Sequence, residues 1–257
     1  MTILNNFKKI FQKEDNTLEI LTNVKSTHDF GEVVNAKKAQ PKWWKEMPSQ
    51  FENFSPYTDS EVFKKFSRPI STVKHCPAIQ DIFSTGVVIK AWSDFAIFVS
   101  PDGITESVHA DDSIRGVPKG SGSYHPYIQR PGFLKGYAHF KLCPTFFGRT
   151  KTHRKFMWKG AYWYNPSLIE NNIHIVPGII DYKTQTGMNI NMFLPIKSEP
   201  YQINIELGDP LIHLIPLDNK PVNIVKKLLT DEEMINCTNT HMKFMGSPKI
   251  NKLKINS

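Results

Sequence analysis

Two groups of residues in this chain have types and spacings that chemistry could use. His109, Ala110 and Asp111 form a His-x-Asp tripeptide. On a strand the side chains at i and i+2 share one face, as an iron site of two histidines and one carboxylate requires. His213 or His174 would supply the distal histidine, and Fe(II) would be the metal. A polar surface turn accounts for the same tripeptide, since Asp112 follows at once. The second group is Tyr124, His125, Pro126 and Gln129, which follow the Gly/Ser/Pro-rich stretch Arg115–Gly122. Here His125 could serve as a general base or a ligand, with His139 and His153 close enough in sequence to join it.

Nucleophilic chemistry finds less support. Cys76 and Cys143 each precede a proline, and His75 adjoins the first. Neighbouring side chains on an extended segment point apart, so His75 and Cys76 are not thereby a dyad, and inert cysteine is the expectation for both. There is no GxSxG elbow and no Walker spacing. The three cysteines, Cys76, Cys143 and Cys237, include no CxxC pair, which argues against structural zinc and a disulfide framework and fits a reducing cytoplasm.

The elements that must position these groups are mainly β. A 257-residue chain with 40% hydrophobic and 22% charged residues has globular composition and the length to bury a substantial core. Short apolar runs broken by Pro, Gly and Asn predict strands at Val87–Ala91, Phe95–Val99, Tyr137–Leu142, Lys155–Trp158, Ala161–Tyr164, His174–Val176, Gly187–Pro195, Tyr201–Ile205 and Leu211–Pro216. Asp102-Gly103 and Gly208-Asp209 are turn signals. The pattern predicts a β-sandwich, jelly roll or small barrel and disfavours an alternating βαβ sheet. Helices are expected near Pro77–Phe83 and after Thr230, where Asp231, Glu232 and Glu233 suit a first turn. The chain thus divides into an N-terminal helical and extended arm (1–66), a β core (67–218), and a C-terminal helix with a basic tail (219–257).

A formal charge of +8 favours anionic partners, but the basic residues are dispersed. The densest groups, Lys151 with His153, Arg154 and Lys155, and the tail Lys249, Lys252 and Lys254, read as solvated surface, so nucleic acid is not the expected partner. No run reaches the roughly 18 apolar residues of a membrane span. Trp43 and Trp44, in the stretch PKWWKEMP, either pack against the domain or anchor another protein.

Two resemblances add to this reading. Lys74–Asp94, together with His125–Gln129, the PGIID and GDPLIHLIP segments and PKWWKEMP, resembles an uncharacterised family of tailed marine phages with distant bacterial relatives. That resemblance implies a phage gene expressed in the cytoplasm of a bacterial host and brings no activity with it. Locally, Pro177–Asp181 followed by EPYQINIELGDPLIHLI looks like the late core of the trimeric dUTPases and dCTP deaminases. By that resemblance Asp181 would meet a sugar and orient a water. The family's tyrosine three positions on is Thr184 here, Tyr182 is out of register, and the PRSG motif and glycine-rich arm are missing, so what the resemblance implies is β architecture more than a shared reaction. Without catalysis, Pro177-Gly178 would start a strand, Ile179 and Ile180 would fill a core, and Asp181 would cap a turn.

The leading expectation is a β domain whose pocket binds, and modifies, a small polar or nucleotide-like molecule. Asp181 and His125 are the candidate catalytic residues, with Gln129, Asn191 and His213 as ligand contacts. A non-catalytic virion, assembly or host-factor-binding protein using Trp43 and Trp44 is the alternative, and an iron oxygenase built on His109, Asp111 and His213 is the third reading. A homo-oligomer is compatible with each.

Overall fold

The computed structural model of the chain describes residues 15–51, 70–109, 122–125 and 132–237. In chain order the strands are β1 (Thr17–Thr22), β2 (Val33–Asn35), β3 (Gln50–Phe51), β4 (Ile70–Ser71), β5 (Val87–Lys90), β6 (Phe95–Val99), β7 (Thr105–His109), β8 (Gly122–His125) and β9 (Tyr137–Leu142). They continue with β10 (Phe146–Arg149), β11 (Lys155–Gly160), β12 (His174–Ile175), β13 (Gly178–Asp181), β14 (Ile190–Pro195), β15 (Tyr201–Ile205), β16 (Pro210–Pro216) and β17 (Asn223–Leu228). The helices are short: α1 (Lys25–Phe30), α2 (Lys42–Glu46), α3 (Pro77–Ser84), α4 (Ser167–Glu170) and α5 (residues 231–237). Among the described residues no helix is long and apolar enough to cross a membrane.

The fold is mainly β. The strands make a five-stranded sheet ordered β13-β11-β16-β5-β2, a four-stranded sheet β12-β14-β9-β8, two three-stranded sheets, β10-β1-β17 and β15-β6-β7, and a small hairpin, β3-β4. None of these sheets closes on itself, so the small-barrel form of the expectation is not the one found.

Period-two alternation explains how the layers meet. Along β9, Ala138, Phe140 and Leu142 are buried while Tyr137, His139 and Lys141 are half-exposed, and along β14, Ile190, Met192 and Leu194 are buried. With Leu18 and Ile20 of β1, Ile97 and Val99 of β6, Phe156 of β11 and Ile203 of β15, they form one core shared by the four larger sheets, as in a β-sandwich. Each such side chain contributes about 1.5–3 kcal/mol by leaving water.

A second, smaller core lies on the outer face of the five-stranded sheet. Ala36, Ala39, Trp44, Phe83, Val88, Ala161 and Tyr164 pack there, so β5 is buried on both faces, with Val87 and Ile89 inward and Val88 outward. Trp44 stacks on Phe83 at a centroid distance of 4.2 Å, and Trp43 meets Trp163 at 6.2 Å. Trp44 is thus part of this layer, and Trp43 is half-buried beside it. Gly86 feeds β5 with a φ of +83°, and a Cβ there would come within 2.0 Å of the Leu214 carbonyl oxygen. Only glycine meets both conditions.

The sheets reach beyond the expected 67–218 core. β1 pairs in parallel with β17 and antiparallel with β10, which brings Thr17–Thr22 and Asn223–Leu228 into the sandwich, and β2 adds Val33–Asn35 to the five-stranded sheet. Buried Glu19 of β1 accepts from Arg149 Nε at 2.7 Å and from Lys227, and buried Arg154 grips Asp218 with two nitrogens at 2.9 and 3.0 Å. The expected strand Ala161–Tyr164 is a turn instead. The amides of Tyr164 and Asn165 both donate to the Ala161 carbonyl, which ends the β11–β16 ladder.

Candidate functional site

The chain changes sheets twice between β12 and β14, and a cleft opens where it does so. After β12, Val176 still donates its N–H to the Asn191 carbonyl of β14 at 2.9 Å. Pro177, which has no N–H to extend that ladder, then leads into β13 at the edge of the five-stranded sheet. From Asp181 the chain turns back, with the amides of Thr184 and Gln185 donating to the Asp181 carbonyl, and re-enters the four-stranded sheet at Ile190.

The resulting cleft has a volume of about 450 Å³. Its walls are the β13 edge from Gly178 to Ile180, Trp158 behind it, and the polar side chains of Lys141, Gln185, Asn189 and Asn191. As an edge strand, β13 hydrogen-bonds to a neighbour only along β11, so one row of its peptide groups faces away from the sheet. Gly178 lies opposite Trp158, and a Cβ at Gly178 would meet no heavy atom within 4 Å, which leaves this wall open. Lys141 and Asn191 are direct cross-strand partners on the half-exposed face of β9 and β14. The Asn191 Oδ1 lies 3.3 Å from His139 Nε2 and accepts a hydrogen bond from it. In this arrangement the Asn191 NH₂ is free of that contact.

Among the described candidate site residues, Asn191 lines the cleft, as does the Pro177–Ile180 stretch that precedes Asp181. Asp181 sits just past the wall. Its carboxylate accepts from the Lys183 N–H at 3.0 Å and lies 2.7 Å from His153 Nδ1. Partial burial opposes ionisation of Asp181, but His153 and the backbone N–H groups of Lys183 and Arg154 outweigh it and hold the carboxyl below its usual range. The turn-capping role is therefore present, and His153, not His125, is the histidine beside this carboxylate. Ile179 does not fill a core, being 64% exposed next to half-exposed Met157 on the outer face, whereas Ile180 packs against the main core.

His213 lies elsewhere. It is buried on the outer face of β16, opposite Val88 on one side and Lys159 on the other, under the edge of the Tyr164 ring at 5.2 Å. Its Nε2–H donates to the Thr85 carbonyl at 2.8 Å. Burial depresses its pKa to about 4, with adjacent Lys159 adding to the effect, so the ring is neutral near pH 7. Lys159 is itself shifted down by burial. Of the gathering expected at one end of the sandwich, His213 thus lies apart from Asp181 and Asn191. His213 belongs to the second core because its position on β16 faces the helical layer.

The remaining candidates divide as follows. The register sets His125 opposite His139 on β8 and β9, and His174 opposite Phe193, whose ring lies 4.8 Å from that of His139. Gln129 and Asp111 lie outside the described residues. His109 pairs with Phe95 in the β15-β6-β7 sheet, a different sheet from that of His213. Among the described residues no three His, Cys, Asp or Glu side chains are placed to hold a metal ion.

Lys141, Gln185 and Asn189 went unnoticed in the sequence. Lys141 had a usable signal, since it alternates with Phe140 and Leu142 in a strand legible from composition. Gln185 and Asn189 carried none, because only the fold of the 182–189 connection brings them to β13. No protein-family model matches the chain, and no curated protein matches it.

Proposed function

We propose that this cleft binds a small polar molecule of nucleotide-like or heterocyclic character. The observation that carries the reading is the combination of an edge strand, Gly178–Ile180, with three carboxamide side chains around a volume of about 450 Å³. A β-edge offers alternating donors and acceptors, and carboxamides offer both from one group, which suits a ring with mixed hydrogen-bonding edges. The volume is that of a small-ligand site. The apolar surfaces of Trp158, Val176 and Ile180 give a flat ring something to cover. The segment that resembles the trimeric dUTPases, Pro177–Ile180, supplies one wall, which favours a nucleotide-like ligand over other polar compounds.

Asp181 stands at the rim as an ionised, hydrogen-bonded carboxylate with His153 beside it. A carboxylate that orients a histidine is the arrangement general-base chemistry uses, so modification of the bound molecule would run through this pair.

The test is a thermal-shift screen of the full chain against nucleosides, nucleotides, bases and other polar metabolites. A ligand at 100 times its Kd adds about 2.7 kcal/mol to stability, which raises Tm by several degrees. Gly178→Val, which places bulk in the open part of the cleft where a Cβ meets no heavy atom within 4 Å, is expected to abolish that shift while leaving the unliganded Tm close to wild type. A ligand that stabilises Gly178→Val as well as wild type would place binding elsewhere and refute the proposal.

A further inference from the structure

The cleft is electrostatically one-sided. Its lining contains one charged side chain, Lys141, and three carboxamides, with no carboxylate among them. No ion pair engages Lys141 among the described residues, whereas Lys151 pairs with Asp15, Arg154 with Asp218 and Lys227 with Glu19. Lys141 and Asn191 face one another across β9 and β14. At such a pair the Cβ atoms are about 4.5–5.5 Å apart, so an ammonium and an amide can reach one small group together.

Asn191 is oriented for this. Its oxygen takes the His139 Nε2–H, so the end that remains to be presented is the NH₂, a donor. A side-chain amide left to itself could offer either end. Here the oxygen is the end turned to His139, and the Lys141 ammonium across the strand pair is donor-only. Two donors, one of them charged, without a competing carboxylate in the lining, select an acceptor that carries negative charge.

We infer that the ligand of this cleft is anionic and that its carboxylate or phosphate group sits between Lys141 and the Asn191 amide, with His139 as the positioning residue that turns the amide toward it. The inference rests on the cleft being a small-molecule site and adds the ligand's charge and the place of its acid group. A neutral heterocycle would leave the Lys141 ammonium unmatched, and a cationic one would be repelled by it.

The experiment uses the full-length chain, isotopically labelled, and titrates inorganic phosphate in one arm and acetate in another, with sodium chloride at matched ionic strength as the reference. The Asn191 side-chain NH₂ and the Lys141 Cε resonances are followed by NMR. The expected result is a saturable shift at both groups with at least one of the anions, beyond any chloride effect, and the stronger arm identifies phosphate or carboxylate as the preferred group. In Lys141→Met the affinity is expected to fall about tenfold, the loss of one charge-assisted hydrogen bond. Lys155→Met, outside the cleft, is expected to leave it unchanged. If Lys141→Met alters resonances throughout the spectrum, Lys141→Gln takes its place.

Absence of a saturable shift with either anion overturns the inference, as does a shift that both Lys141 variants leave intact. The two readings fail separately, since a ligand that stabilises Gly178→Val as well as wild type removes the cleft reading. If uracil or another neutral compound perturbs the Gly178–Ile180 amides while both anions do nothing at Asn191, the anionic inference falls and the small-molecule site stands.

Discussion

His213 gives the fold a pH-dependent term whose size follows from its place in the second core. The ring is buried beneath Tyr164, donates to Thr85, and has a pKa of about 4 against an ordinary 6.5. Because the folded value is depressed, the unfolded chain binds the proton more tightly, and stability falls as pH drops below 6.5 until the folded value is reached. Between pH 7 and pH 5 this single residue therefore withdraws about 2 kcal/mol. The carboxylates with lowered values, Glu19, Asp181 and Asp218 among them, contribute their losses below ordinary values of 4.5 or 3.8, so this window isolates histidine. Urea unfolding of wild type and His213→Leu at pH 7 and pH 5 makes the comparison. The variant loses the hydrogen bond to Thr85 at both pH values, so that cost cancels in the slope. Its stability is expected to change between the two pH values by about 2 kcal/mol less than wild type. Parallel slopes would refute the reasoning and show that a proton on His213 is tolerated in the folded chain.

Three further outcomes test the fold. Glu19→Gln removes the buried negative charge that Arg149 and Lys227 share and leaves one acceptor oxygen where they used two. Both partners are about two-fifths exposed, so screening limits the loss to about 2 kcal/mol by urea unfolding at pH 7. The same variant should flatten the acid limb below pH 4.5, because Lys227 and Arg149 together outweigh burial and hold the Glu19 carboxyl below that value. Arg154→Met removes the guanidinium donors to Asp218 and to the carbonyls of Asn16, Lys220 and Pro221, and is expected to cost about 3 kcal/mol and to speed proteolysis at the β17 end of the chain. Gly86→Ala forces a Cβ against the Leu214 carbonyl at a positive φ, and its Tm should fall well below that of a control such as Gly136→Ala, where a Cβ meets nothing within 4 Å.

What the sequence made legible is the set of strands with strong local signals. Phe95–Val99, Tyr137–Leu142 and Tyr201–Ile205 have the expected bounds, because turn residues bracket runs rich in β-branched and aromatic residues. The turn signals hold too, with Gly103 at a φ of +81° and Gly208 at +90°. The start of α5 is closed by Thr230 and Glu233, with the Glu233 carboxylate accepting the Thr230 N–H at 2.8 Å and the Thr230 hydroxyl accepting the Glu233 N–H at 3.3 Å. Long-range partnership was not legible. The run TLEILT at Thr17–Thr22 is an ordinary strand sequence, yet its neighbour β17 lies some 200 residues away, and no local pattern specifies that pairing.

The candidate site was legible only in part, for the same reason. LIHLIP at Leu211–Pro216 marks a strand with a histidine at its centre, but not what lies on the outer face of that strand. The layer that buries His213 comes from residues 36–44, 79–83 and 161–164, remote in sequence. A bulge between Pro210 and Ile212 further shifts the alternation, so that Leu211 and Ile212 both enter the main core. Asn191 could be named as a polar residue within a strand. Its partnership with Lys141 and His139 depends on the β9–β14 register, which joins segments some 50 residues apart.

The proposed small-ligand site, between the β13 edge and the Lys141–Asn191 pair, is tested most directly by an amide NMR map of the full chain with the strongest hit from the thermal-shift screen. Binding there gives saturable shifts concentrated at the Gly178–Ile180 backbone and at the side-chain amides of Gln185, Asn189 and Asn191, lost in Gly178→Val. Shifts centred on the separate cleft bounded by Phe98, Ile104 and Tyr201, with the Gly178–Ile180 amides unmoved, would contradict it.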